Sequence, residues 1–224
     1  MRVYNDTLNP EIWKDENEIK PDLRIMLLQV ANDFYKDSEL VPPPKDVLLL
    51  GSNANYNWTE TSDVDVHIVI DFKELQMPQD SAKEYTNLVK YKWNTEHDIK
   101  IKDHDVEMYI QDVDHKTHAT GIYSILNNKW LMKPDKQKVV LDKELIKTKY
   151  HDIIKRISGA TKEKDLEALK STLKDIYDYR QAGLDNVGEF STENVVFKLL
   201  RTNNYIEHIR DQINDLYDAN VSVD

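Results

Sequence analysis

Apolar and polar positions fall into three patterns along this chain. Leu23, Met26, Leu27, Val30, Ala31 and Phe34 recur at three- and four-residue spacing, which predicts an amphipathic helix from Pro21 to about Tyr35, with proline at a first position where its missing N–H costs nothing. Val47 to Leu50 is a short continuous apolar run closed by Gly51-Ser52, and Val64 to Ile70 alternates apolar with polar; both predict strands. Residues 80–94 carry a stripe of Ala82, Tyr85, Leu88, Val89 and Trp93, predicting a largely solvated helix. Asp98 to Ile101 and Val106 to Ile110 predict a hairpin turning at Lys102-Asp103-His104-Asp105. Thr120 to Ser124 reads as a loop and Trp130 to Pro134 as a short packed segment. Ahead of all this, residues 1–19 read as a polar arm that lays Ile12 and Trp13 on the body, and Val41-Pro42-Pro43-Pro44 as a stiff spacer feeding the first strand.

From Asp142 onward the period is helical throughout. Ile146, Tyr150, Ile153 and Ile157 mark one helix, expected to end at Ser158-Gly159; Leu166, Leu169, Leu173 and Ile176 mark a second, expected to end near Gly183. Ser191 is the expected N-cap of a third, whose stripe of Val196, Leu199 and Leu200 resumes beyond Thr202-Asn203-Asn204 as Ile206, Ile209, Ile213 and Leu216. The expected class is α/β (α+β): a small mixed sheet with covering helices over residues 1–140, then an α-helical bundle over 141–224.

Composition narrows the partners. With 41 Asp and Glu against 30 Lys and Arg the net charge is −11, which disfavours extended nucleic acid, because neutralising phosphates needs clustered cations. The absence of cysteine excludes disulfides and thiolate metal sites. No apolar run approaches the ~20 residues of a membrane span, and MRVYNDTLNP has no apolar leader core, so the expectation is a cytoplasmic protein without membrane contact.

The candidate chemistry lies between Asp46 and Asp71. On an alternating strand Asp63, Asp65 and His67 share one face while Val64, Val66, Ile68 and Ile70 take the other. Adjacent like charges repel unless a cation lies between them, and hard carboxylate oxygens suit Mg²⁺, which shares its shell with water and substrate phosphates. Gly51 permits close approach of a ligand to the backbone, and Ser52 offers a hydroxyl and an amide. In Val106 to Ile110, Asp105, Glu107 and Tyr109 share a face, so either acid could complete the set, Glu107 before Asp105. His67 reads as a hydrogen-bonded histidine, Tyr56 and Trp58 as packing residues, and His115 and His118 as too few ligands for zinc. Lys198 and Arg201, three apart on one helix face, are the candidates in the C-terminal half for meeting phosphates.

Gly51-Ser52, a ten-residue gap, then Asp63-Val64-Asp65, with Glu107 flanked by apolar residues further on, resembles the signature of the DNA polymerase β-like nucleotidyltransferase superfamily. The core of the resemblance spans about Pro21 to Asp112, and the whole chain is similar to small nucleotidyltransferases of phages and bacteria. The resemblance implies a catalytic domain over 1–140 and a helical domain over 141–224, with substrate in a cleft between them. It implies two Mg²⁺ ions, with Mn²⁺ able to substitute, on Asp63, Asp65 and Glu107, and a nucleoside triphosphate, ATP first, gripped by Gly51 and Ser52 with Lys198 and Arg201. The acceptor would be a hydroxyl, on a small molecule or a protein before RNA. The alternatives are a non-catalytic nucleotide-binding sensor or antitoxin-like module with the same fold, and a metal-dependent nuclease, which lacks here the catalytic lysine and basic groove it would need.

Overall fold

The computed structural model describes residues 4–117, 119–136 and 141–222. Both central strands form where the apolar pattern puts them, as β1 (Asp46–Leu50) and β2 (Val64–Ile70), paired antiparallel with Leu50 opposite Asp65. Next comes β3 (Lys100–Ile101), hairpinned to β4 (His104–Asp112), a longer strand than the sequence suggests because His104 and Asp105 already pair with Ile101 and Lys100. Two further strands, β5 (Ile122–Ser124) and β6 (Lys129–Met132), stand where a loop and a packed segment were expected. Their runs of three and four residues are too short for alternation to reveal, and pairing of β5 to β1 and β6 makes them strands. The result is one mixed six-stranded sheet in the order β3-β4-β2-β1-β5-β6.

Only β2 and β4 run parallel, register by register from Val64↔Val106 to Ile70↔Asp112. A parallel pair needs a crossover, and α2 (Gln79–Glu96) supplies it. Its buried residues are Ala82, Thr86 and Trp93, while Leu88 is exposed, because α2 lies along the open edge of β4 instead of flat on a face. There the Asn94 side chain accepts from the Met108 N–H at 3.0 Å and donates to its carbonyl at 3.3 Å, closing the ladder β3 is too short to extend.

The helix α1 (Pro21–Asp37) turns Leu23, Leu27, Ala31 and Phe34 onto the core, which the inward residues of β2 and β4 complete. The N-terminal arm is buried more deeply than a docked Ile12-Trp13 pair requires: Leu8, Asn9 and Ile19 are buried with them, and Trp13 stacks on Trp130 at 4.6 Å and meets Tyr123 edge-on at 4.9 Å.

The chain divides into two compact units, Met1–Gln137 and Lys138–Asp224. The second holds α3 (Lys143–Glu163), α4 (Leu166–Asn186), α5 (Thr192–Thr202) and α6 (Tyr205–Val221), packed on one another. Ser191 caps α5 by accepting from the Asn194 N–H, as its sequence position suggests. The stop expected at Ser158-Gly159 does not hold, while α4 ends three residues past Gly183. The helix α3 runs through Gly159 and ends at Lys164, which takes the left-handed turn at φ 53°. Gly183 sits inside α4, where a Cβ would lie 2.5 Å from Glu193 Cβ, so it serves close helix packing, not termination. Among the described residues there are six α-helices, and none is long and apolar enough to cross a membrane.

Candidate functional site

Between β1 and β2 the chain makes a 3₁₀ turn over Ser52–Ala54, entered through Gly51 at φ 71° and ψ −161°, a conformation L side chains rarely adopt. Space imposes the same requirement: a Cβ on Gly51 would lie 1.9 Å from Asp65 Oδ2. The carboxylate of Asp65 therefore rests on bare backbone at the end of β1, and any side chain at 51 would displace it.

Other parts of the first unit fix this turn. Asn53 is fully buried, and its side-chain nitrogen donates to the Ser62 and Asp63 carbonyls at 3.1 and 2.9 Å, tying the turn to the residues that lead into β2. Its side-chain oxygen accepts from Asn9 at 2.9 Å, and its backbone carbonyl accepts from the Trp13 indole at 2.7 Å. Asn9 also bonds His104 Nε2 at 2.9 Å, while His104 Nδ1 donates to the Ser62 carbonyl at 2.7 Å. From the other side Asn55 donates to Thr120 Oγ1 at 2.6 Å, and Gly121 brings its backbone so close that a Cβ there would fall 1.9 Å from the Ala54 carbonyl. Arm, hairpin and the segment before β5 thus converge on one turn, the arrangement that holds a site to fractions of an ångström. Ser52 Oγ, a candidate phosphate ligand from sequence, donates to Ser62 Oγ at 3.1 Å. Tyr56 and Trp58 serve the scaffold: Tyr56 is buried with its hydroxyl on Glu16, and the Trp58 indole donates to the Thr7 carbonyl at 2.9 Å.

The parallel register decides which acid neighbours the pair on β2. Asp65 lies directly beside Glu107, and His67 beside Tyr109. Asp63, Asp65, His67, Glu107, Tyr109 and Gln111 are all half-buried on this face, whereas their strand neighbours from Val64 to Ile70 and from Val106 to Asp112 are buried. Asp105, the fallback, is an exposed residue paired with Lys100 at 3.2 Å.

Beyond the acids the face carries a layered group that sequence spacing did not single out. The Tyr109 hydroxyl donates to the Glu107 carboxylate. Its ring stacks on His67 at 4.3 Å with the planes 6° apart, and Lys90 Nζ from α2 sits 3.9 Å over the Tyr109 ring. Burial raises the Tyr109 phenol far above its ordinary range, and the Asp65, Glu107 and Asp63 carboxylates add to that, so it stays a neutral donor. Burial lowers the Lys90 ammonium, with Glu107 and Asp65 opposing the shift. Burial also pulls His67 down to about 4, against the bond its Nδ1 makes to Gln111 Oε1 at 2.7 Å. With that carbonyl as acceptor, Nδ1 carries the proton.

Among the described residues no three His, Asp or Glu side chains converge on a single metal-binding point. The donors themselves fit a hard cation, being carboxylates on one face with two in register, and Glu107 keeps an oxygen for one while its other accepts from the Tyr109 hydroxyl. Of the remaining candidates, His115 lies on an exposed segment after β4 and His118 falls outside the described residues. Lys198 and Arg201 lie half-buried on α5 in the second unit. No protein-family model, curated protein or solved structure matches the chain.

Proposed function

We propose that this chain is a nucleotidyltransferase, moving a nucleoside monophosphate from a triphosphate to an acceptor hydroxyl. One observation carries the reading: Asp65 fits against side-chain-free Gly51 just past β1 and in register with Glu107 on β4. A half-buried acid so placed, with Asp63 two residues away on the same face, offers hard oxygen donors to a cation. Gly51 and Ser52 close the triphosphate end. Asp63 and Asp65 orient the reacting groups, and Glu107 takes the proton of the attacking hydroxyl or joins the two aspartates as a ligand. That oxygen attacks the α-phosphorus in line, the bond to the β-bridging oxygen breaks, and pyrophosphate leaves with its electron pair. Mg²⁺ held by Asp63, Asp65 and Glu107, with Mn²⁺ as its substitute, would neutralise phosphate charge and acidify the hydroxyl. Tyr109 holds Glu107 in place until the site fills. Lys198 and Arg201 carry no part of this reading. The net charge of −11 favours a small molecule or a protein over RNA as acceptor.

A second reading has its own observation. Glu107 already satisfied by Tyr109, with a lysine over that ring, would suit a non-catalytic nucleotide-binding module. Turnover separates the two. Incubation with each labelled nucleoside triphosphate and Mg²⁺, with and without cell extract, should transfer label, from ATP first, and release pyrophosphate. Tight nucleotide binding without transfer under any of these conditions would establish the sensor reading instead.

A further inference from the structure

A cleft of about 530 Å³ opens beside the acidic face, between α2 and the C-terminal half of β4, entirely within the first unit. That is the size of a small-molecule site. Its inner wall is the His67–Tyr109 stack with Gln111, and Lys83, Asn87 and Lys116 line it from α2 and from the segment after β4. At ~3.3 Å of strand rise per residue the His67–Tyr109 level lies ~7 Å from the Asp65–Glu107 level, about the length of one sugar ring.

The polar groups of this cleft differ in what they already hold. Its acids are engaged: Asp112 accepts from the Phe72 N–H at 3.2 Å and from Gln79 at 3.3 Å, and Asp114 pairs with Lys73 at 2.8 Å. Among the described residues the Lys83 and Lys116 ammonium groups make no hydrogen bond or ion pair, and the Gln111 side-chain nitrogen and the Asn87 side-chain amide make no hydrogen bond. Lys73 offsets the charge of Asp114, and Asp112 is turned onto the neutral Phe72 N–H and Gln79 amide, so the Lys83 and Lys116 ammonium groups are the charges free to meet an anion, and the open amides ask for hydroxyls.

We propose that the cleft binds a small hydroxylated anion, a sugar- or cyclitol-sized molecule bearing one phosphate or carboxylate. Lys83 and Lys116 meet its charge, and Gln111 and Asn87 meet its hydroxyls. Resting on the transferase reading, this molecule is the acceptor, its far hydroxyl reaching past Tyr109 to the acids.

The test titrates the full chain, without nucleotide or metal, with glucose 6-phosphate, inositol 1-phosphate, glycerol 3-phosphate and gluconate, using glucose and inorganic phosphate as controls. Calorimetry gives affinity, and the His67 ring and Gln111 side-chain NMR signals give location. At least one hydroxylated anion should bind about tenfold or more tighter than either control and shift both signals. The double variant Lys83→Gln/Lys116→Gln, at two exposed positions, should lose that tenfold without a change in melting temperature. Absence of saturable binding across the set, or binding that ignores the double variant, overturns the proposal. Binding that stands while wild-type transfer fails removes the transferase reading and leaves the cleft site. Transfer to protein or RNA that the double variant does not impair removes the acceptor assignment.

Discussion

On one face of β2, Val64, Val66, Ile68 and Ile70 are at most 1% exposed and pack among side chains from α1, β1 and β4; on the other, Asp63, Asp65 and His67 are half-buried among charges and aromatic rings. From Asp63 to Ile68 the chain thus divides its work by parity. Each buried aliphatic contributes roughly 1.5–3 kcal/mol through area removed from water. Of its β2 residues the other face buries Val69 alone, against Leu48 and Leu50, while it holds Asp65 in register with Glu107 and keeps His67 neutral. If this division is right, substitutions on the two faces should separate cleanly into losses of stability and losses of turnover.

The largest effect on stability is expected from Ile68→Ala, which should lower the unfolding free energy of the first unit by about 3 kcal/mol through lost burial and a cavity. All four tryptophans, at 13, 58, 93 and 130, lie in that unit, so their fluorescence during urea unfolding reports it directly. An effect under about 1 kcal/mol would mean the face is not the packed one.

Glu107→Gln comes next, on the other face. It should reduce transfer about a hundredfold while leaving the urea midpoint near that of the wild type, whereas Asp105→Asn, at an exposed residue already paired with Lys100, should change transfer only a few-fold. Steady-state rates of both variants check this, and the reverse ranking would move the site two residues towards the start of β4.

The most gradual effect is a pH dependence. Burial depresses His67 in the folded state to about 4 from its ordinary 6.5, so between those values the unfolded chain binds a proton that the folded chain does not. Stability should therefore fall as pH drops through this window, by at most roughly 3 kcal/mol from this residue. His67→Gln should flatten that part of the profile in urea titrations at pH 7, 5.5 and 4.5. A variant profile as steep as the wild type's would show that His67 is not the group responsible.

Strands were legible wherever alternation ran long enough. Val64 to Ile70 announces both its span and its faces, and Gly51-Ser52 followed by the Asp63-Val64-Asp65 spacing marks the stretch where β1, β2 and the 3₁₀ turn meet. What escaped depends on partners remote in sequence. Nothing around His104 signals that it bonds the Ser62 carbonyl 42 residues earlier, and Asn9 and Asn53 become a network only once the arm folds over the turn. Tyr109 was visible as a neighbour of Glu107 on one face, but its stack on His67 and the lysine above it follow from the parallel register and from the way α2 lies on an edge. One helix end was misread: α3 runs on through Gly159, where a Cβ would meet nothing within 4 Å, whereas Gly183, three residues before the end of α4, admits Glu193 and Ser191 at close range, and a one-dimensional pattern does not tell a tolerated glycine from a stop signal.

The central claim, that Asp63 and Asp65 beside Gly51 form a nucleotide-transferring centre, is tested most directly by comparing wild type and Asp63→Asn for Mg²⁺-dependent transfer of labelled nucleotide with release of pyrophosphate. The account predicts transfer by the wild type and a loss of about a thousandfold or more in Asp63→Asn, with tryptophan fluorescence and urea midpoint unchanged. Asp63→Asn transferring at close to the wild-type rate, or a folded wild type that transfers from no nucleoside triphosphate, would contradict it.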